Sequence, residues 1–267
     1  MAENERPKLL EVRGLTMDFG GLRAIDSVNL DIFAGEIVAL IGPNGAGKTT
    51  FFNCVTGIYE PTAGDVLIHP PGGVSRRING MKPNRITALG MARTFQNIRL
   101  FPAMTVLENV RIGRHGRTGT TILDAIWRSR RAVREERETV AKSYQLLERV
   151  GLADSADEFA RSLAYGAQRR LEIARALATD PFLLLLDEPA AGMNPQETQE
   201  LDELIVRLRA QERVAILLIE HDMKLVMNIS DRIYVVEYGK EIAQGTPREI
   251  KENPSVIEAY LGEEVHA

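Results

Sequence analysis

Gly42-Pro43-Asn44-Gly45-Ala46-Gly47-Lys48-Thr49-Thr50 follows an apolar pentad, Ile37-Val38-Ala39-Leu40-Ile41, and runs into residues 50–56, which read as the first turns of a helix. The pentad is short and β-branched, the pattern of a buried strand. Strand, glycine loop and helix in that order are the context that a phosphate-binding loop requires. Glycines let the backbone close round an anion, and successive N–H groups at a helix N-terminus point at phosphate oxygens. Lys48 adds a point charge for the outer phosphates, and the Thr49 hydroxyl has the reach for a bound Mg²⁺. A glycine turn that merely joins a strand to a helix has no use for the Lys-Thr pair. The stretch implies binding of a nucleoside triphosphate.

Composition narrows the class. A chain of 267 residues buries a real core, as one large domain or one domain with an insertion. Hydrophobic residues at 44% and charged residues at 26% are ordinary globular values, and a formal charge of −4 exerts no global pull toward nucleic acid or acidic lipid. The single cysteine, Cys54, forms no internal disulfide, in keeping with a reducing compartment, and its place after the glycine loop suits a small buried filler. The first residues, MAENERPK, are polar and lack the apolar segment of a secretory signal, and no apolar stretch approaches bilayer-spanning length. A soluble cytoplasmic chain is expected, any membrane role coming through partners.

Residues 9–12 read as a strand, followed by a turn at Asp18-Phe19-Gly20-Gly21 that carries one aromatic. Residues 27–32 alternate Val28, Leu30 and Ile32 with polar neighbours, a half-exposed strand. Residues 65–68 are again strand-like, and 70–83, rich in Gly, Pro, Arg and Asn, read as a surface loop. From 105 to 150 the pattern is helical. Thr105 and Glu108 have capping-box spacing, and Val140, Tyr144 and Leu147 mark one face of a second helix that Gly151 stops. Between Arg111 and Arg137 eight arginines face three acids, a basic stretch for lipid head groups or an acidic partner surface, or simply a solvated face. Residues 163–177 form a glycine-bearing loop and then a helix beginning near Ala167. Residues 196–210 read as an amphipathic helix, 231–243 as a hairpin, and Val256, Ile257, Tyr260 and Leu261 sit at the spacing of a docking helix.

Phe182-Leu183-Leu184-Leu185-Leu186 is apolar without alternation, the mark of a parallel strand buried on both faces, and it ends in Asp187-Glu188-Pro189. Isolated charges at the end of such a strand are costly, so a solvated acidic turn is a poor account of them. Asp187 beside the glycine loop would hold Mg²⁺ through its water shell, and Glu188 would orient or deprotonate an attacking water. A second buried strand, 214–219, ends at Glu220-His221-Asp222. His221 is as readily structural there as it is a contact for the γ-phosphate.

GPNGAGKTT, then Gln96, then Leu163-Ala164-Tyr165-Gly166-Ala167-Gln168-Arg169-Arg170, then LLLLDEP and His221, resemble the ordered motifs of an ABC-transporter ATPase subunit over nearly the whole chain. The resemblance implies an α/β fold: a P-loop NTPase core of the ABC ATPase type with a small antiparallel β subdomain and an inserted α-helical subdomain. It implies residues 1–95 as the first part of the ATP-binding core, 96–165 as the helical subdomain, and 166–267 as the second part of the core with a C-terminal docking helix. By the same likeness Gly42, Pro43, Asn44, Gly45, Ala46, Gly47, Lys48, Thr49 and Thr50 hold the phosphates of ATP, and Phe19 stacks on adenine. Thr49, Gln96 and Asp187 attend Mg²⁺; Glu188, His221 and Gln96 serve catalysis. Ala164, Tyr165 and Gly166 of the signature loop meet the ATP of a second subunit, and residues 190–195 communicate across the dimer. The implied partners are that second ATPase subunit, identical or related, two transmembrane permease subunits and, through them, an extracytoplasmic substrate-binding protein, with no nucleic acid. The implied location is peripheral, on the inner face of the cell membrane.

LEIARAL, AAGMNP, IEHDMKLVM, SDRIYVV and AYLGEE are similar to the branched-chain amino-acid importer ATPases, and the arginine-rich insertion is like that of the longer of that system's two paired ATPases. Amide and urea importers resemble them closely. The usual signature loop reads Leu-Ser-Gly-Gly-Gln; here Ala164, Tyr165 and Ala167 replace Ser, the first Gly and Gln. Soluble ABC ATPases of ribosomes or DNA carry tandem cassettes or long coiled-coil insertions, unlike this chain. A small-molecule kinase or GTPase would leave Gln96, the signature region and His221 without a task.

Overall fold

The structure, a computed structural model, describes residues 6–117 and 130–264. Part of the arginine-rich stretch, 118–129, lies outside the described residues, as do the polar residues 1–5. The chain divides into two compact units, one made of residues up to Arg93 and from Phe182 on, the other of Thr94–Pro181.

The first unit opens with β1 (Lys8–Phe19), β2 (Leu22–Phe33), β3 (Ile37–Ile41), α1 (Lys48–Val55), β4 (Ala63–Ile68), the two-residue β5 (Arg76–Arg77), α2 (Pro83–Ala88) and β6 (Met91–Arg93). The second unit carries α3 (Val106–Arg114), α4 (Arg130–Arg149) and α5 (Tyr165–Leu177). The first unit resumes with β7 (Leu183–Asp187), α6 (Pro195–Glu212), β8 (Ala215–Ile219), α7 (Met223–Ile229), β9 (Arg232–Glu237), β10 (Lys240–Gly245), α8 (Pro247–Lys251) and α9 (Pro254–Glu264).

β3, β7 and β8 are buried at every residue, because unbroken apolar sequence tolerates neither face in water. They form the middle of a sheet ordered β10-β9-β3-β8-β7-β6, parallel throughout except for β10, which returns antiparallel on β9. Leu40 lies opposite Ile219, and Ile219 opposite Asp187. The carboxyl ends of β3, β8 and β7 therefore share one edge, the edge where open α/β sheets hold ligands. A second, antiparallel sheet, β2-β1-β4-β5, packs its Leu10, Val12, Leu15, Leu30, Ile32 and Val66 into a core shared with Val38, Leu40, Phe51 and Phe52.

Several local expectations shift. Asp18 and Phe19 are the last residues of β1 rather than part of the turn, because both still pair with β2. Residues 70–83 contain β5, paired with β4, and Ile78 is buried. On α9, Val256 and Ala259 face the core while Ile257 is exposed. Cys54 is buried as expected, and burial pushes its thiol up to about 11, beyond reactivity at neutral pH.

In the second unit the Thr105–Glu108 capping box caps α3. The buried face of α4 is Ser143, Leu146 and Leu147, with Val150 buried just past its end, a slightly rotated version of the predicted one. The boundary expected at residue 165 falls within this unit, which runs to Pro181 because α5 packs on α3 and α4. No helix among the described residues is long and apolar enough to cross a membrane.

Candidate functional site

The glycine loop turns out of β3 and enters α1 at Lys48, two residues before the sequence expectation. Two of its glycines are sterically required. A Cβ on Gly42, φ +154°, would lie 1.9 Å from the Val236 carbonyl oxygen, and one on Gly47, φ +98°, 2.5 Å from that of Ala24. The loop is thus held by its neighbours in the shape that aims a helix N-terminus outward. Lys48 is 6% exposed, and its ammonium donates to the Gly42 and Pro43 carbonyls at 2.6 and 2.8 Å, which keeps the charge in the curve of the loop. Thr49 is exposed at the first turn.

On the same sheet edge, β7 delivers Asp187 and then Glu188. Glu188 has φ +46°, a left-handed conformation unusual for a residue with a Cβ. That turn sends the two consecutive carboxylates to different partners. Glu188 Oε1 lies 2.9 Å from His221 Nε2, so the ring faces the acid. Asp187 Oδ2 accepts from Arg93 Nη2 at 2.6 Å, and both side chains are nearly buried. Arg93 Nη1 also donates to Asn53 Oδ1 and Thr56 Oγ1, at 2.8 and 2.9 Å. β6 is so tied to α1 and β7 by one guanidinium.

Glu220, 4% exposed, ties the two loops together. It accepts from the backbone N–H groups of Ala190 at 2.7 Å, His221 at 3.0 Å and Asp222 at 3.4 Å. Burial holds its carboxyl above the usual range, against those hydrogen bonds and with the Glu188 charge adding to the rise. Asp222 caps α7 through Lys224 and Leu225. Within residues 190–195, Asn194 caps α6 in a capping box with Glu197, and Pro195 is the first residue of the helix.

Phe19, 42% exposed, meets Tyr59 edge to face, ring centroids 5.3 Å apart, and the Asp18 N–H bonds to Thr62 Oγ1 at 3.0 Å. The end of β1 is fastened to the turn after α1, and a two-aromatic corner stands open to solvent.

Gln96, Ala164, Tyr165 and Gly166 belong to the second unit. Gln96 is exposed, and its carbonyl accepts from Arg169 Nη2 at 2.8 Å. α5 begins at Tyr165, not near Ala167: Ala164 is its N-cap and has no side-chain oxygen to satisfy the first-turn amides. Gly166 is buried in that first turn, while Ala164 and Tyr165 are exposed.

Arg93, Glu220 and Arg169 escape a reading of sequence alone. A charge next to the end of an apolar strand was the available signal for Glu220; Arg93 and Arg169 had none of comparable strength. The oxygen donors Thr49 and Asp187 of the first unit are of the kind that suits a hard cation; Gln96 lies in the second unit. Among the described residues no group of three or more His, Cys, Asp or Glu side chains could hold a metal ion, so such a cation needs phosphate oxygens to complete its shell.

Comparison with known proteins follows the same lines. The family model described as ABC transporter matches residues 25–191, and that described as branched-chain amino acid ATP-binding cassette transporter matches residues 240–266. The chain is 52% identical to the high-affinity branched-chain amino acid transport ATP-binding protein LivG of Escherichia coli (strain K12), over 96% of this chain and 98% of that one. To BraF of Pseudomonas aeruginosa, described in the same words, it is 51% identical over the same shares. Among solved structures, a nucleotide-free ATP-binding cassette from an ABC transporter superposes with TM-score 0.80 at 31% identity, covering 95% of this chain and 99% of that one. The ADP conformation of an ATP-binding cassette of an ABC transporter gives 0.82 at 31%, covering 96% and 99%.

Proposed function

Because the chain belongs to the ABC transporter family of ATP-binding proteins, we propose that it is the subunit whose ATP hydrolysis powers an importer of branched-chain amino acids. The observation that carries the reading is the single sheet edge bearing the Lys48 loop, Asp187, and the Glu188–His221 pair. The substrate class rests on the match of residues 240–266 and on the similarity to LivG and BraF.

The glycine loop, residues 42–50, binds the phosphates of ATP through backbone N–H groups and the Lys48 ammonium, and Phe19 stacks on the adenine. Thr49, Asp187 and Gln96 would attend Mg²⁺, which when bound would neutralise charge on the transferred group. Glu188 accepts a proton from the water whose oxygen attacks the γ-phosphorus, the bond to the β-phosphate oxygen breaks, and ADP and phosphate leave. His221 keeps the Glu188 carboxylate aimed through their hydrogen bond. The Arg93–Asp187 pair fixes Asp187 on the sheet edge from which the loop leaves.

Ala164, Tyr165 and Gly166 face the ATP of a second ATPase subunit, identical or related. Two transmembrane permease subunits take up the closing motion, an extracytoplasmic binding protein supplies the amino acid, and the chain sits on the inner face of the membrane.

Uptake by the complex reconstituted with its permease is the test, with leucine, isoleucine, valine, amides and urea offered in turn. ATP-dependent uptake of the three branched amino acids that Glu188→Gln abolishes is expected. Uptake of urea or amides alone moves the substrate class, and turnover with no dependence on membrane subunits removes the transport role.

A further inference from the structure

Among the described residues Arg169 is the largest side chain wholly withdrawn from solvent, and it pairs with Glu172, one turn along α5, at 2.9 Å. Two charges without water are costly unless hydrogen bonds satisfy them, and an apolar pair often stabilises a fold as well. The use of this pair is therefore sought in what it holds. Arg169 Nη1 donates to the Phe95 carbonyl at 2.6 Å and Nη2 to the Gln96 carbonyl at 2.8 Å. Glu172 Oε1 accepts from the Phe95 and Arg99 amides at 3.4 and 3.3 Å. The two side chains grip donors and acceptors of segment 95–99 together, so that segment has one register against α5. Nη2 also reaches Tyr165 Oη at 3.4 Å, in the first turn of the same helix. Tyr165 is a departure from the common signature loop, and the buried pair gives its hydroxyl a partner. Leu171, Ile173, Ala174 and Leu177 already bury the helix by apolar contact.

We propose that the buried Arg169–Glu172 pair is a positioning device that locks the Gln96 segment to the signature helix, so that the segment sensing nucleotide in its own subunit and the loop offered to the partner's nucleotide move as one piece. The inference rests on the reading of Gln96 and of the signature loop given above.

The test uses the full chain and two variants. Arg169→Lys keeps the charge but loses the two-pronged guanidinium, which a lysine ammonium does not reproduce. Arg169→Met/Glu172→Leu removes both charges, so that neither is left buried alone. ATP affinity, kcat, Tm and hydrogen exchange at the Phe95 and Arg99 amides are measured for each. Expected in both variants are an unchanged Kd for ATP, a kcat lower by about tenfold or more, and faster exchange at the two amides, with Tm of the double variant near that of the parent. A purely structural pair would lower Tm with no split between Kd and kcat. Wild-type kcat in the double variant, or in Arg169→Lys, overturns the proposal. Gln96→Ala runs alongside: if it turns over normally, the reading of Gln96 falls and takes the inference with it; if it is crippled while the other two are not, the inference alone falls.

Discussion

Glu188 and His221 follow the ends of neighbouring parallel strands and meet at 2.9 Å, Oε1 to Nε2, with Glu188 held at φ +46° and the His221 backbone N–H held by the Glu220 carboxylate. A base aimed in this way is expected to contribute about 10²–10⁴-fold to hydrolysis. Glu188→Gln should bind ATP normally and lose turnover by that factor, since an amide accepts no proton. His221→Ala should also keep ATP binding and lose a smaller share of kcat, because the carboxylate remains but is no longer aimed. Single-turnover hydrolysis with bound ATP measures both. Near wild-type turnover in Glu188→Gln removes it as the base.

What could be read along the chain was whatever repeats or stands in order. β3 and β8 are apolar at every position and β7 at every position before Asp187, so their burial on both faces and parallel pairing were visible, as were the charged residues that close β7 and follow β8. Contacts between distant residues were not. Arg93 and Asp187 are 94 positions apart, and Arg93 sits in a three-residue strand with no period to expose its role. Arg169 and Glu172 have the i, i+3 spacing of an ordinary exposed helix pair, yet they turn inward and meet the 95–99 backbone. Phe19 read as a turn residue because Gly20-Gly21 dominates its neighbourhood, yet the ladder to β2 continues through it.

The aromatic corner gives a second prediction. Phe19→Ala should weaken ATP binding by the loss of one stacking contact, about 1–3 kcal/mol by analogy with base–aromatic stacks. Tyr59 touches the same ring at 5.3 Å, so Tyr59→Ala should weaken binding less and Tyr59→Phe hardly at all. Titration of ATP against triphosphate alone separates base from phosphate binding. A Phe19→Ala protein with unchanged ATP affinity but normal triphosphate affinity returns Phe19 to a structural role.

Asp202 on α6 predicts a pH dependence. Partial burial, with the charges of Asp222, Glu220 and Glu203 nearby, raises its carboxyl to about 6 from an ordinary 3.8. The folded state thus holds this proton more tightly than the unfolded chain does. Its contribution to stability is fully present below the ordinary value and is lost as pH rises through about 6. Asp202→Asn removes that loss. After allowance for solvent screening at a half-exposed site, the variant should be about 1 kcal/mol more stable at pH 7.5, with the advantage gone near pH 4. Denaturant melts at the two pH values measure it, and an equal difference at both excludes the carboxyl as its source.

The start of α5 sharpens the last prediction. Ala164 is the N-cap residue, with extended backbone at φ −60°, ψ 156°, the conformation in which Ser is a favoured cap. A serine hydroxyl there accepts from a first-turn amide and still has its own proton to donate. Ala164→Ser should therefore act twice. Without nucleotide, the cap is worth about 1 kcal/mol, which for a chain of this size raises Tm by roughly 2–4 °C. With ATP bound between two subunits, the hydroxyl proton is available to the partner's γ-phosphate, and a hydrogen bond to a charged group is worth about 1.5–3 kcal/mol. In the Glu188→Gln background, where hydrolysis does not drain the dimer, the ATP concentration for half-maximal dimerisation should fall about tenfold or more. A higher Tm with an unmoved midpoint means that residue 164 caps the helix but does not meet the partner's phosphate. A lower midpoint with no change in Tm means that the hydroxyl is turned to the phosphate alone. If neither moves, α5 does not begin at Tyr165 and the loop's first contact with the partner lies elsewhere.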